Sequence, residues 1–283
     1  VTDREYFYLI SKILKLTDID LSQYKSNQMR RRLEHFMSNM EFQDVVQFCS
    51  SLERDPTMVE RLKDFVTINV SEFFRDPKYF SLLMTDILPI MLRRCTRLNI
   101  WSAGCSNGAE PYSVSMILDH LAPSSCHRIL ATDIDLKCLE KARNGGPYSA
   151  AEVKNVPKTF LDKYFVVAEN GYKVVDEIRQ SVVFKQHNLT KDFIGSGFDL
   201  IICRNVLIYL TEEAKCQLLH RFHHALKPNG FLFLGATEII LDPARFGFNL
   251  LYHNCFYQRA TASKSLAVTS RTPTLAAARE SNR

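Results

Sequence analysis

Glycine is missing from the first 103 residues of this 283-residue chain; all ten glycines fall between Gly104 and Gly247. A stretch so poor in tight-turn residues is expected to be helical, and the change of character a third of the way along points to two domains. No apolar run approaches the roughly 18 to 20 residues that span a bilayer, which speaks against direct membrane insertion. The opening VTDREYFYLISK also lacks the basic, apolar, small-residue order of a signal peptide, so a cytoplasmic protein is expected. The eight cysteines are scattered without a C-x-x-C pair; reduced thiols are expected, and neither a zinc site nor a secreted disulfide framework. Charge of one sign is scarce too. The formal net charge is +5, but Lys264, Arg271, Arg279 and Arg283 against Glu280 put +3 into residues 260–283, leaving +2 for residues 1–259. So neutral a body is a poor surface for counterion release, and nucleic acid is not an expected partner.

What is present is periodicity. Met29, Leu33, Phe36, Met37 and Met40 recur at helical spacing, and 3–15, 42–53 and 57–68 read as amphipathic helices, with Asp55-Pro56 punctuating two of them. From residue 98 short apolar strands (LNIWSAG, RILATDID, SVVFKQHNL, FDLIICRNV, GFLFLGATE) alternate with helical stretches such as 109–121, 135–143 and 212–226. That alternation predicts an α/β domain with a largely parallel sheet. Between the second and third strands, KYFVVAENGYKVVDEI is two strand-like runs around Asn170-Gly171, a hairpin signal. The expected organisation is a helical N-terminal domain with its linker over 1–80, an α/β domain over 81–259 with a small β-subdomain within 147–187, and a flexible Ser, Thr and Ala-rich tail over 260–283.

The first parallel strand runs into Gly104-Cys105-Ser106-Asn107-Gly108 and then a helix. Glycines there allow a tight turn and close approach of a ligand, though the G-x-x-x-G spacing is not the dinucleotide fingerprint, and alone the loop equally suits a structural strand-to-helix turn. The second strand ends in Asp133, where doubly wound folds place a carboxylate that accepts ribose hydroxyls. Capping the helix that begins near Leu136 is the competing role, better suited to Asp135. The fourth strand ends in Cys203-Arg204-Asn205-Val206-Leu207-Ile208-Tyr209, which makes Asn205 and Tyr209 candidates at the sheet's carboxyl edge.

The runs T-I-N-V-S-E-F-F-R (67–75), W-S-A-G-C-S-N-G-A-E-P-Y-S, A-T-D-I-D, H-N-L, C-R-N-V-L-I-Y and L-G-A-T-E together resemble the chemotaxis receptor methyltransferase (CheR) family, in order over about residues 5–259. The resemblance implies an S-adenosylmethionine-dependent protein-glutamate O-methyltransferase: a Rossmann-like domain with a small β-subdomain, preceded by an all-α domain. It further implies that Asn69, Ser71, Arg75, Glu110, Asp133, Asn188, Leu189, Asn205 and Val206 bind the cofactor, with Arg75 also beside the transferring methyl. Ala109 replaces the first acid of the family's G-E-E-P-Y motif, while Glu110 keeps the second. The hairpin loop 167–172 is shorter and poorer in glycine than in members that tether to a receptor's C-terminal peptide, so no tether is expected.

A glutamate with an unperturbed pKa of about 4.3 is already an anionic nucleophile, so positioning should dominate the chemistry and no general base is needed. Tyr209, through its hydroxyl, and Arg75, through its charge, are the candidate catalytic residues; a buried ring packing the sheet edge is the competing role for Tyr209. Lys25, Arg30, Arg31 and Arg32 border the apolar stripe of the second helix; a solvated face explains them, and so does docking of the acidic methylation region of a chemoreceptor, as the resemblance implies. The expected protein is a monomer recruited to membrane receptor arrays, releasing S-adenosylhomocysteine. His220, His223 and His224 sit at i, i+3 and i+4, but no carboxylate motif accompanies them and no metal is expected. A base-methylating enzyme is disfavoured by the absence of N-P-P-Y or D-P-P-Y after the fourth strand, and a non-catalytic module by retention of Arg75 and Tyr209.

Overall fold

Thr2 opens the first helix through a capping box: its hydroxyl accepts from Glu5 N, and the Glu5 carboxylate accepts from Thr2 N. In the computed structural model, which describes residues 1–261 apart from Ile68, Ser124 and His253, four helices follow in succession. They are α1 (Asp3–Thr17), α2 (Ser26–Asn39), α3 (Val45–Arg54) and α4 (Pro56–Val66). Asp44 and Asp55 cap α3 and α4 with their side chains, and Pro56 sits at the first position of α4, where its missing N–H costs nothing. The helices turn Leu9, Met29, Leu33, Phe36, Phe48 and Leu62 into a core of their own. After a linker come α5 (Pro77–Leu82), one π-type turn at Leu83–Ile87 and α6 (Leu88–Leu92).

The α/β part then runs β1 (Asn99–Ala103), α7 (Ala109–Leu121), β2 (Arg128–Asp133), α8 (Leu136–Arg143), α9 (Ala150–Val153), α10 (Lys158–Tyr164), β3 (Phe165–Ala168), β4 (Gly171–Val174), α11 (Asp176–Gln180), β5 (Val182–Gln186), β6 (Phe198–Cys203), α12 (Glu212–Ala225), β7 (Leu226–Leu234), β8 (Phe248–Tyr252) and β9 (Phe256–Arg259). The seven-stranded sheet has the order β5-β2-β1-β6-β7-β9-β8. Its first five strands are parallel, while β9 pairs antiparallel with both β7 and β8. The order reverses between β1 and β6, so the crevice for a ligand lies at the carboxyl ends of these strands. The mixed α/β architecture with an all-α N-terminal part is the one the sequence predicts. Strands β8 and β9 were not anticipated: Leu250 and Leu251 are adjacent and both exposed, so no alternation marks β8.

Strands β3 and β4 form the separate hairpin, joined by Glu169 and Asn170. Gly171 therefore lies in the strand, not the loop. Its φ is 126°, and a Cβ there would stand 2.2 Å from Tyr148 O, so the glycine serves the close pairing of Tyr148 with Tyr172. The residues past 261, most of the expected tail, lie outside the described residues. Among the described residues no helix is long and apolar enough to cross a membrane.

Candidate active site

The loop from β1 into α7 forms the floor of the site. Gly104 has φ 78°, and a Cβ on it would lie 2.7 Å from Val206 Cγ2, so this turn against the β6 loop tolerates no side chain. Ser106 N donates to Asp133 Oδ2 at 2.7 Å and Asp135 N to Asp133 Oδ1 at 3.0 Å. Burial pushes the Asp133 carboxyl upward, and these amides only partly offset it. Asp135 takes the capping role: its Oδ1 accepts from Lys137 N and Cys138 N, at 2.9 and 3.1 Å. Its Oδ2 accepts from Thr67 Oγ1 at 2.8 Å and Asn69 Nδ2 at 2.6 Å, fastening the linker to α8.

At the end of β6 a buried cation organises the opposite wall. The Arg204 side chain is 2% exposed and lies 5.3 Å from the Phe80 ring centroid and 4.9 Å from that of Phe233. It donates to Asp76 Oδ2 at 2.6 Å and to Arg75 O at 2.9 Å, and its other guanidinium nitrogen is 3.7 Å from Glu110 Oε2. Burial raises the Glu110 carboxyl above its ordinary range, against the pull of Arg204 and of Ser102 Oγ, which donates to it at 2.8 Å. Phe74 and Asp76 flank Arg75 with φ of 52° and 58°, so Arg204 holds a segment of the linker with two left-handed non-glycine residues. Asn205, itself at φ 58°, is fixed by Glu238, whose Oε2 accepts from Asn205 N at 2.7 Å and Gly235 N at 2.8 Å.

These walls enclose a cavity of about 370 Å³. The linker contributes Asn69, Ser71 and Arg75, and the sheet edge contributes Glu110, Asp133, Asn188, Leu189, Asn205, Val206 and Tyr209, so every residue expected to bind cofactor or act on the methyl lines it. Asn69 does so with its amide committed to Asp135, and Arg75 with Nη1 donating to Val70 O at 3.0 Å. The helical domain closes the remaining side with Tyr24, Lys25, Gln28, Met29 and Arg32. The four basic residues read as one cluster thus separate. Lys25 and Arg32 line the cavity, Arg31 is exposed, and Arg30 donates to Asp3 Oδ1 at 2.5 Å while lying 4.8 Å from the Tyr6 ring centroid. Consecutive helical residues are about 100° apart, which is why three in a row cannot share one face. Of the histidines on α12, His220 packs on Phe246 and His223 on Phe248.

Arg204, Glu238, Tyr24 and His187 are the site residues that the sequence reading leaves without a role. The signal for the first two was cost: a charge at the end of an apolar strand must find a partner, as with Arg204 directly after FDLIIC and Glu238 three residues past FLFLG. His187 is 3% exposed, and burial lowers its pKa, so its imidazole is neutral.

The residues fit an adenosine-type cofactor. The cavity has the volume of a small-ligand site, Asp133 keeps unused lone pairs toward it, and Asn205 Oδ1 is buried without a partner among the described residues. A doubly wound sheet with one reversed strand, a glycine-bounded first loop and an acid closing the second strand fits an S-adenosylmethionine-dependent methyltransferase. The comparisons make the class particular: residues 4–67 match "CheR methyltransferase, all-alpha domain" and residues 69–250 match "CheR methyltransferase, SAM binding domain", and the chain belongs to the CheR methyltransferase family. It is 34% identical to the chemotaxis protein methyltransferase of Listeria monocytogenes over 256 residues, 90% of this chain and 97% of that one. The chemotaxis protein methyltransferase of Borreliella burgdorferi is 31% identical over 254 residues, 85% of this chain and 89% of that one.

Proposed function

We propose that the protein transfers a methyl group from S-adenosylmethionine to glutamate side chains of chemoreceptors, forming methyl esters in chemosensory adaptation. The observation that carries this reading is the charge distribution of the cavity. Its acids Glu110 and Asp133 accept from internal donors and Glu72 is paired with Lys154 Nζ at 2.7 Å, whereas Lys25, Arg32 and Arg75 line the side formed by the helical domain and linker. A carboxylate substrate entering there meets cations. The names of the relatives, chemotaxis protein methyltransferases, support the same setting.

The bound cofactor supplies a methyl group on a sulfonium sulfur, already activated for transfer. Asp133 holds the ribose hydroxyls with the lone pairs its amide donors leave free. Arg75, its backbone fixed by Arg204, balances charge beside the transferring methyl. The Tyr209 hydroxyl orients the incoming carboxylate, which is ionised at neutral pH and gives up no proton. The chemistry asked of this chain is therefore alignment.

The test is transfer of radiolabelled methyl from S-adenosylmethionine to receptor-enriched membranes, with RNA as the competing acceptor. Label on the membranes that mild base releases is expected. Label on RNA, or label that base does not release, removes the glutamate reading.

A further inference from the structure

The candidate catalytic tyrosine is held by the other domain. Residues Asn205 to Leu210 leave β6 as an irregular loop closing in a 3-10 turn at Leu207–Tyr209. Glu238 secures its beginning through Asn205 N and Ile208 N, the latter at 3.3 Å. Its end is secured from the helical domain. Tyr24 forms an isolated antiparallel bridge with Leu210; Lys25 N donates to Tyr209 O at 2.9 Å, and Thr211 N donates to Gln23 O at 2.8 Å. The Tyr24 ring packs against both the helical-domain core and the core under α12, so the bridge is buttressed from both sides. Lys25 is also the cap residue from which α2 starts.

From this juxtaposition we infer that the Gln23–Lys25 segment is a positioning device for Tyr209: the Lys25 N–H, acting on the Tyr209 carbonyl, sets where the phenol stands in the cavity. The inference rests on the catalytic role proposed above for the Tyr209 hydroxyl. It gives the helical domain a share in turnover besides any share in docking. It also places the cap residue of a helix expected to meet the receptor one hydrogen bond from the residue expected to meet its carboxylate.

The backbone provides the test. Lys25 has φ −56° and follows Tyr24 at φ −104°, ψ 153°, so proline meets the dihedral requirements at 25; it removes the N–H and sets its ring Cδ against Tyr209 O, which breaks the tie and displaces the Tyr209 loop. Lys25→Ala loses the same ammonium group but keeps the N–H, so the ratio of Lys25→Pro to Lys25→Ala reports the loss of the backbone tie to Tyr209. Thr211 offers a second route, with φ −64° after Leu210 at φ −82°, ψ 152°, and Thr211→Pro is compared with Thr211→Ala because both lose the helix-capping hydroxyl. Each proline variant should lower kcat roughly 10-fold or more below its alanine control, through the lost hydrogen bond and the displacement of the Tyr209 loop together, at equal affinity for S-adenosylhomocysteine.

The deciding measurement repeats the Lys25 pair in a Tyr209→Phe background. If the strap acts through the hydroxyl, proline and alanine turn over alike there. Should the proline penalty persist undiminished, or be missing in the wild-type background at both positions, the strap is structural and the inference falls. Full turnover by Tyr209→Phe alone is a different failure: it removes the catalytic role proposed for Tyr209 and the inference with it. If Lys25→Pro does not fold, the Thr211 pair carries the same cycle.

Discussion

Asp133 and Asp135 stand two residues apart and face opposite tasks, because the chain between them leaves the strand and enters the helix. Asp133 ends β2 with its carboxylate on the cavity; Asp135 starts α8 with its carboxylate on backbone amides. Asp133→Ala is therefore expected to weaken S-adenosylhomocysteine binding by about 10- to 150-fold, the loss of a charged acceptor for hydroxyls, as calorimetry would measure. Tyr209→Phe should lower kcat while leaving cofactor affinity and thermal stability near wild type, since the ring stays in place. The strand end made Asp133 legible in the sequence. Arg204 was not legible as a site residue, because its partners come from three separate places in the chain: Asp76 with Phe80, Glu110, and Phe233. Replacing it by Gln takes the cation from two carboxylates; with Asp76 half exposed, a loss of about 3 kcal/mol in denaturant unfolding is expected.

Between the domains, the linker is the element on which geometry and stability meet. Thr67 and Asn69 are tied to Asp135, Lys137 to Asp64 at 2.5 Å, and Arg75 and Asp76 to Arg204. Burial alone would raise the Asp135 carboxyl, but hydrogen bonds from Cys138 N, Thr67, Asn69 and Lys137 N outweigh it and hold the group below its ordinary 3.8. A depressed carboxyl binds fewer protons folded than unfolded, so its stabilising contribution is complete above about pH 4 and is lost as pH falls through the lower folded value. Asp135→Asn should flatten that part of the acid-unfolding curve. Asp135→Ala should cost about 1 to 2 kcal/mol at neutral pH through the lost cap. The helices and parallel strands were readable because each is long or continuously apolar. The linker ties were not, since side chains 66 and 68 residues apart in sequence carry no local pattern.

For the molecule as a whole, the helical domain forms one wall of the cofactor cavity and presents the cations that the proposed substrate would meet. Of the basic residues on α2, Arg31 is the exposed one and Arg30 is engaged with Asp3. Arg31→Glu should accordingly raise the KM for receptor about 2- to 5-fold at low salt, an effect that fades as salt screens it, with cofactor affinity unchanged. Arg30→Glu should show first as lower thermal stability. The sequence anticipated these residues as a group, and only helical geometry separates them. The proposed acceptor atom is a glutamate oxygen. This is tested most directly by tandem mass spectrometry of a chemoreceptor methylation region after incubation with the protein and S-adenosylmethionine. A gain of one methyl group on glutamate residues is expected, reversed by mild base and missing when those glutamates are changed to alanine. Methylation on nitrogen that survives base, or no methylation by a protein shown to bind the cofactor, would contradict it.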